Sequence, residues 1–380
     1  MSTVVHAITG LGTGGAEMML YKLVRSIDQE QFRTVVVSLI DKGKIGNRIE
    51  ALGVSVHALG LSRGTSPIRA LWVFARLISE LRPALVQGWM YHANLASSMA
   101  TAISRTRPPV VWNVRASLDG LDREKRSTAA VIRLGALVSR STAGIVYNSR
   151  VSARQHESLG FLPSRSEVIP NGFDCTEFRP DSEARRSLRA ALGVPENALL
   201  VGCIGRFHPM KDHAGFLEAA RLALHADRRL HFVLAGTGIT IANPEIARSI
   251  ELHKLAGWVH LLGERDDIAR ITAGFDIACS ASAWGEGFPN VLGEAMACAV
   301  PCVFTDTGDS GWVVGDCGRQ VPTRAPRAMA DAILSLAALD AAERQAIGAS
   351  GRARIQRHFS LEAVARQYAN YYRRVSQRQD

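Results

Sequence analysis

The chain has 380 residues, 47% of them hydrophobic and 21% charged, which fits a globular enzyme of two domains and excludes low-complexity or fibrous architectures. The formal charge is +10, and the excess lies wholly in the first half: residues 1–170 carry 21 Lys and Arg against 11 Asp and Glu, residues 171–380 carry 24 of each. No run approaches the ~20 apolar residues that cross a bilayer, and the first residues enter a strand pattern directly, so neither a spanning segment nor a signal peptide is expected.

The first strand pattern, TVVHAIT, runs into GLGTGGAEMML. Gly10, Gly12 and Gly15 have the spacing of a dinucleotide-binding turn between strand and helix. Asp41, closing RTVVVSLID, stands where such a fold places an acid on the ribose. On these residues alone the turn serves either NAD or a different phosphate. Ala16, Met19, Leu20, Leu23, Val24 and Ile27 recur at helical spacing and predict a core-facing stripe, as do Ile68, Leu71, Trp72, Ala75 and Ile78. The strand patterns SVHALG, ALVQGW, VVWNV and GIVYNS follow, and the series restarts near SEVIPNGFD, where Pro170, Asn171 and Gly172 suit a domain junction. LLVGCIGR, LHFVLAG, VHLLGE, DIACSAS and VPCVFTD make a second series. Strands alternating with helices throughout predict an α/β fold with mostly parallel sheets. A last helix with Leu361, Val364, Tyr368, Tyr372 and Val375 on one face arrives after that series is complete and must pack on something else.

Six cysteines, all in the second half and none in a Cys-x-x-Cys pair, read as buried reduced thiols, and the compartment is expected to be the cytoplasm. No aromatic-basic RNA motif or zinc module accompanies the positive charge, so nucleic acid is not expected as a partner. An anionic membrane surface or a phosphorylated acceptor stays open.

Two stretches carry chemistry. VGCIGRFHPMKDH places Arg206 and Lys211 at the end of a strand, where two cations suit a diphosphate; their simpler alternative is a pair of solvated charges. WGEGFPNVLGEAMACAV places Glu286 and Glu294 on either side of a Gly-Pro turn that opens a helix from about Val291 to Cys298. The free N–H groups at that helix start suit a phosphate, and the carboxylates suit hydroxyls of a sugar and a ribose. The acids of Arg265-Asp266-Asp267 are expected to cap a helix.

EGFPNVLGE resembles the Glu-x7-Glu motif of retaining family 4 glycosyltransferases, which have the GT-B fold. TGGAE, IPNGFD, GRFHPMKDH, TDTGD and GDCG extend the likeness over nearly the whole chain, in order. The resemblance implies two Rossmann-like domains facing a cleft: residues 1–169 on the acceptor side, completed by the crossing helix in 358–380, and residues 170–357 holding the nucleotide sugar. In such enzymes the residues matching Arg206 and Lys211 hold the donor diphosphate, that matching Glu294 the ribose, and that matching Glu286 the donor sugar. Gly287, Phe288, Pro289, Asn290 and Val291 complete the donor site, and Leu262 and Gly263 lie beside the base. Gly14 and Gly15 then admit the donor phosphates, and Asp41 becomes an ordinary loop acid. His92 matches a histidine that faces the donor sugar, its alternative being a structural histidine. Arg115 is expected to face the acceptor or a phosphate.

The activity so implied is retaining transfer of a sugar, without metal or cofactor, from a nucleotide-diphosphate donor (UDP ahead of GDP) to an acceptor hydroxyl. The acceptor expected is a lipid-linked glycan of surface polysaccharide or O-antigen synthesis. A GT-B-like sugar-nucleotide epimerase and a non-catalytic nucleotide-sugar-binding subunit are the competing readings. Arg123, Lys125 and Arg126, ahead of a helix with Val131, Leu134 and Val138, predict peripheral contact with the inner face of an anionic membrane. Nothing in the sequence sets an oligomeric state.

Overall fold

The computed structural model describes residues 1–61, 66–118, 120–122 and 124–377. Two compact units divide the chain: Met1–Gly172 together with the residues from Leu361 onward, and Phe173–Ser360. Both boundaries fall three residues beyond the sequence-based ones, at 172 against 169 and at 360 against 357.

The first unit is built on seven parallel strands, β1 (Ser2–Ile8), β2 (Phe32–Ser38), β3 (Ser55–Ala58), β4 (Leu85–Trp89), β5 (Val110–Val114), β6 (Gly144–Tyr147) and β7 (Ser166–Val168). Their order is β3-β2-β1-β4-β5-β6-β7. Successive side chains leave a strand on opposite faces, so a sheet covered on both sides needs apolar residues at every position. Val4, Ile8 and Val36 accordingly meet the helix Gly15–Ser26, while Val5, Ala7, Val35 and Val37 meet Phe74, Ala75 and Ile78 of the helix Pro67–Leu81.

The last helix, Leu361–Ser376, belongs to this first unit. Val364, Tyr368, Tyr371, Tyr372 and Val375 complete the core of the β1–β2 face, and the Tyr372 hydroxyl donates to Gln87 Oε1 at 2.5 Å. Its surplus apolar face is thereby explained.

The helix Pro67–Leu81 corrects one expected stripe. Ala75 and Ile78 are buried, but Ile68 is 69% and Trp72 62% exposed. At about 100° per residue, Phe74, Ala75 and Ile78 share one side, and Trp72 is turned away from it. Phe74, absent from the expected stripe, is fully buried instead.

The second unit has six parallel strands, β8 (Leu199–Ile204), β9 (Leu230–Ala235), β10 (Val259–Leu261), β11 (Ile277–Ser280), β12 (Cys302–Thr305) and β13 (Gly318–Val321), in the order β10-β9-β8-β11-β12-β13. β13, reading GRQV, is a polar edge strand without an apolar run and goes unseen in the sequence. All six cysteines are free thiols; Cys203, Cys279, Cys298 and Cys302 are buried and Cys175 and Cys317 half-buried. Burial pushes Cys203, Cys298 and Cys302 up to about 12, which keeps them protonated.

In each sheet the chain order reverses once, between β1 and β4 and between β8 and β11. Connections on the two sides of such a reversal run to opposite faces, leaving a crevice at the strands' C-terminal ends where α/β proteins take their ligands.

Candidate active site

In the second unit the reversal brings the two chemistry-bearing stretches together. β8 is followed by Gly205 and Arg206 and then by a single 3-10 turn, Pro209–Lys211. β11, its hydrogen-bonded neighbour, ends in the loop to Glu286 and Gly287, and the helix Asn290–Ala297 follows. That helix starts one residue earlier than expected.

Local contacts hold both loops. Phe207 N–H donates to Thr237 O at 2.7 Å and Gly205 N–H to Ala235 O at 2.9 Å. Gly236, in the left-handed region at φ +145°, lies so close beneath that a Cβ would come within 2.2 Å of Gly205 O. Ala283 N–H donates to Met210 O at 2.8 Å, joining the second loop to the first. On its other side Asp309 N–H donates to Gly287 O at 3.0 Å. Gly308, at φ +57°, packs against the same loop, where any Cβ would stand only 2.2 Å from Glu286 O.

These contacts aim the charged groups. Lys211 Nζ donates to Glu286 Oε1, and Ser282 Oγ donates to the same oxygen at 2.6 Å. Ser282 is fully buried, and its carbonyl accepts from Thr305 Oγ1 at 2.6 Å. Arg206 is exposed and forms no ion pair among the described residues. Phe288 is buried, stacked on Phe173 at 5.9 Å with Trp312 and Phe359 each 6.0 Å away, which anchors the turn under Pro289. Pro289 caps the helix without a side-chain acceptor, so no side chain of the cap competes for its first N–H groups. Asn290 is exposed, and Val291 and Glu294 are half-buried on that helix. Leu262 and Gly263 follow β10 and join the group through β9: Leu262 N–H donates to Leu234 O at 2.9 Å and Gly236 N–H to Gly263 O at 2.7 Å.

Buried His213, two residues beyond Lys211, is pushed down to about 4 by burial and by the lysine's charge. It is therefore neutral near pH 7 and leaves Lys211 and Arg206 as this loop's cations.

The first unit's reversal carries the remaining candidates. The loop after β1 reaches Gly14, the cap of the helix Gly15–Ser26, which has no side-chain cap of its own. Glu17 folds back over this loop: a Cβ on Gly14 would lie 2.3 Å from its carboxylate, whereas one on Gly15 would meet nothing within 4 Å. β4 runs directly into Met90, held in the left-handed region at φ +67°, and His92 is exposed on the first turn of the helix Met90–Ile103. Arg115 is engaged inside its own unit. It donates to Asn113 Oδ1 at 3.3 Å, to the Tyr368 hydroxyl at 3.0 Å and to Asn171 Oδ1, and lies 5.4 Å over Trp89. Asp41 is exposed. Asp267 stands at the N-cap position of the helix Ile268–Ala273 as expected, but without a side-chain cap bond; its carboxylate instead takes a bidentate pair from Arg265, 2.8 Å on each side.

Sequence reading alone missed Ser282 and the Gly236-Thr237-Gly238 loop. A glycine-x-glycine after the strand pattern LHFVLAG was a usable signal for the second. A single serine in ACSAS gave none for the first.

Two parallel-sheet Rossmann-like units, each with its loops at the switch point, and a last helix returning to the first unit define the GT-B class. Comparison with known proteins agrees. Residues 13–177 match the family model Glycosyltransferase Family 4, and residues 198–338 match Glycosyl transferases group 1. The chain carries a glycosyltransferase domain in each unit and is a glycosyltransferase. It is 25% identical over 307 residues to the putative glycosyltransferase EpsF of Bacillus subtilis, spanning 80% of this chain and 79% of that one. Over 154 residues it is 28% identical to an Escherichia coli UDP-Gal:alpha-D-GlcNAc-diphosphoundecaprenol alpha-1,3-galactosyltransferase, spanning 40% of this chain and 39% of that protein's length. Among solved structures, Anabaena HepE in complex with UDP superposes with a TM-score of 0.83 at 22% identity, covering 97% of this chain and 99% of the other.

Proposed function

We propose that the protein transfers a hexosyl group, with retention of configuration, from a UDP-sugar to a hydroxyl of a lipid-linked glycan. The observation that carries this reading is the convergence of Arg206, Lys211, Glu286 and the start of the helix Asn290–Ala297 on the ends of two neighbouring strands. Two cations beside a helix N-terminus suit a diphosphate, and carboxylates among them suit hydroxyls.

The costly event is departure of the diphosphate from an oxocarbenium-like sugar. Arg206, Lys211 and the helix start stabilise the charge that develops, without requiring a metal for that role. Glu286 orients the sugar, Glu294 holds the ribose, Phe288–Val291 lend backbone groups, and Leu262 and Gly263 flank the base. Within the first unit, Gly14, Gly15 and His92 stand at that unit's own switch point, in loops and helix starts that suit a phosphate. Retention follows from front-face substitution, in which the leaving phosphate helps take the acceptor proton.

UDP is favoured over GDP because HepE is known in complex with UDP and the E. coli relative is named for UDP-Gal. The latter's diphosphoundecaprenol acceptor also supports the lipid-linked class. An exposed apolar and basic surface on the first unit supports it independently. The neighbouring helices Pro67–Leu81, Met90–Ile103 and Arg126–Val138 expose Ile68, Trp72, Met99, Ile103, Leu134 and Leu137. Exposed Arg69, Arg105, Arg107, Lys125, Arg126 and Arg133 accompany them, a mixture suited to an anionic lipid surface. Arg123 lies outside the described residues. No helix among the described residues is long and apolar enough to cross a membrane.

A panel of UDP- and GDP-sugars, incubated with and without a lipid extract, tests the reading through release of the nucleoside diphosphate and the anomeric signal of the product. Extract-dependent UDP release and an axial product from an axial donor are expected. Conversion of one sugar nucleotide into another, without a glycosylated lipid, would indicate the epimerase instead.

A further inference from the structure

The two cations of the donor site are not equivalent. Arg206 has no acidic partner among the described residues, but Lys211 is already committed to Glu286, with side chains only 18% and 10% exposed. Buried Ser282 donates to the same carboxylate oxygen and fixes it at that point. A diphosphate that recruits Lys211 must therefore take it from Glu286. Unless another donor replaces the ammonium, this leaves a largely buried carboxylate with Ser282 as its remaining described partner.

We infer that the Ser282–Glu286–Lys211 arrangement makes the site select the sugar-bearing nucleotide over the bare nucleoside diphosphate and promotes release of the latter after transfer. The inference rests on the donor-site assignment above. When a sugar nucleotide enters, sugar hydroxyls replace the ammonium on Glu286 while phosphate oxygens replace the carboxylate on Lys211, so both groups exchange one partner for another. When the nucleoside diphosphate enters alone, only Lys211 finds a replacement. After transfer the sugar has gone, Glu286 is again short of a donor, and its recapture of Lys211 weakens the hold on the product. Arg206 and the helix start remain as the constant part of the phosphate site. Ser282 is a positioning residue: it touches no phosphate, but it holds the carboxylate where Lys211 can return to it.

A double-mutant cycle read by UDP calorimetry separates this exchange from simple repulsion between Glu286 and the diphosphate. Glu286→Gln should tighten UDP about tenfold when Lys211 is present, because the lysine no longer has to leave a carboxylate. In a Lys211→Met background the same substitution should change UDP affinity little, since no lysine remains to be released. UDP-glucose and UDP measured side by side should show a preference for the sugar nucleotide in the natural protein and its loss in Glu286→Gln. Ser282→Ala, which keeps Lys211 and Glu286, should narrow that preference as well. Unchanged or weaker UDP binding by Glu286→Gln overturns the exchange, and so does equal tightening with and without Lys211. If Arg206→Ala and Lys211→Met both bind UDP like the natural protein, the donor-site assignment itself has failed.

Discussion

Glu294 lies in the second turn of the helix Asn290–Ala297, half-buried, on the helix whose start is assigned to the phosphates. Its proposed partner is the ribose, so Glu294→Ala should weaken UDP itself. Loss of charge-assisted hydrogen bonds of ~1.5–3 kcal/mol corresponds to about tenfold to a hundredfold in affinity. Glu286→Gln should instead lower turnover, because its proposed partner is the sugar. Calorimetry with UDP beside steady-state rates distinguishes the two, and matching defects would merge the roles. Such residues were legible because chemistry, spacing and flanking turns agreed: cations after an apolar strand, acids around Gly-Pro. Ser282 was not, since what singles it out is a distance to Glu286. Arg115 was legible as a strand-end cation, but not its engagement by Tyr368, which lies 253 positions along the chain.

Elements were read well where one periodicity held and poorly where a segment was short or apolar all round. The helix Pro67–Leu81 has apolar residues on nearly every side, so spacing alone could not say that Phe74 faces inward and Trp72 outward. β13 is four residues long and largely polar. Burial also gives the elements a pH dependence that the sequence does not display. His156 of the helix Arg150–Ser158 donates from Nδ1 to Ser152 O at 2.8 Å, because a carbonyl can only accept. Its Nε2 therefore accepts from the Tyr91 hydroxyl at 2.9 Å. Burial pushes this histidine down to about 4, and it pushes His6 of β1 down to about 3. Both stay neutral in the folded chain while the unfolded chain takes up protons below its ordinary value near 6.5. The unfolded state thus binds more protons in this window, and each group removes stability as pH falls from about 6.5 towards its folded value, with a slope approaching 1.4 kcal/mol per pH unit. Thermal melts from pH 7.5 to 4.5 should show a falling midpoint, with the fall made shallower by His156→Gln. A midpoint that rises on acidification would contradict the assignment of neutral buried histidines.

At the scale of the molecule, charge and apolar exposure meet on one unit. The first half holds the whole net charge of +10, and its three neighbouring helices expose both arginines and large apolar side chains, Leu137 at 70% among them. Electrostatic attraction at a membrane is screened over ~8 Å at physiological salt, whereas inserted apolar groups are not. Co-sedimentation with anionic liposomes should therefore weaken with salt without vanishing, and Trp72→Ser with Leu137→Ser should remove the salt-resistant part. Binding that ignores lipid charge, or none at all, would remove the membrane surface and leave transfer untouched. The proposed transfer places a nucleoside diphosphate at the second unit's switch point, and the most direct measurement is UDP titration of the natural protein against Arg206→Ala. Arg206 has no ion-pair partner to lose among the described residues, so the substitution should leave the melting temperature near its natural value while UDP affinity falls about tenfold to a hundredfold. Equal UDP affinity in the two proteins, both folded, would contradict the account.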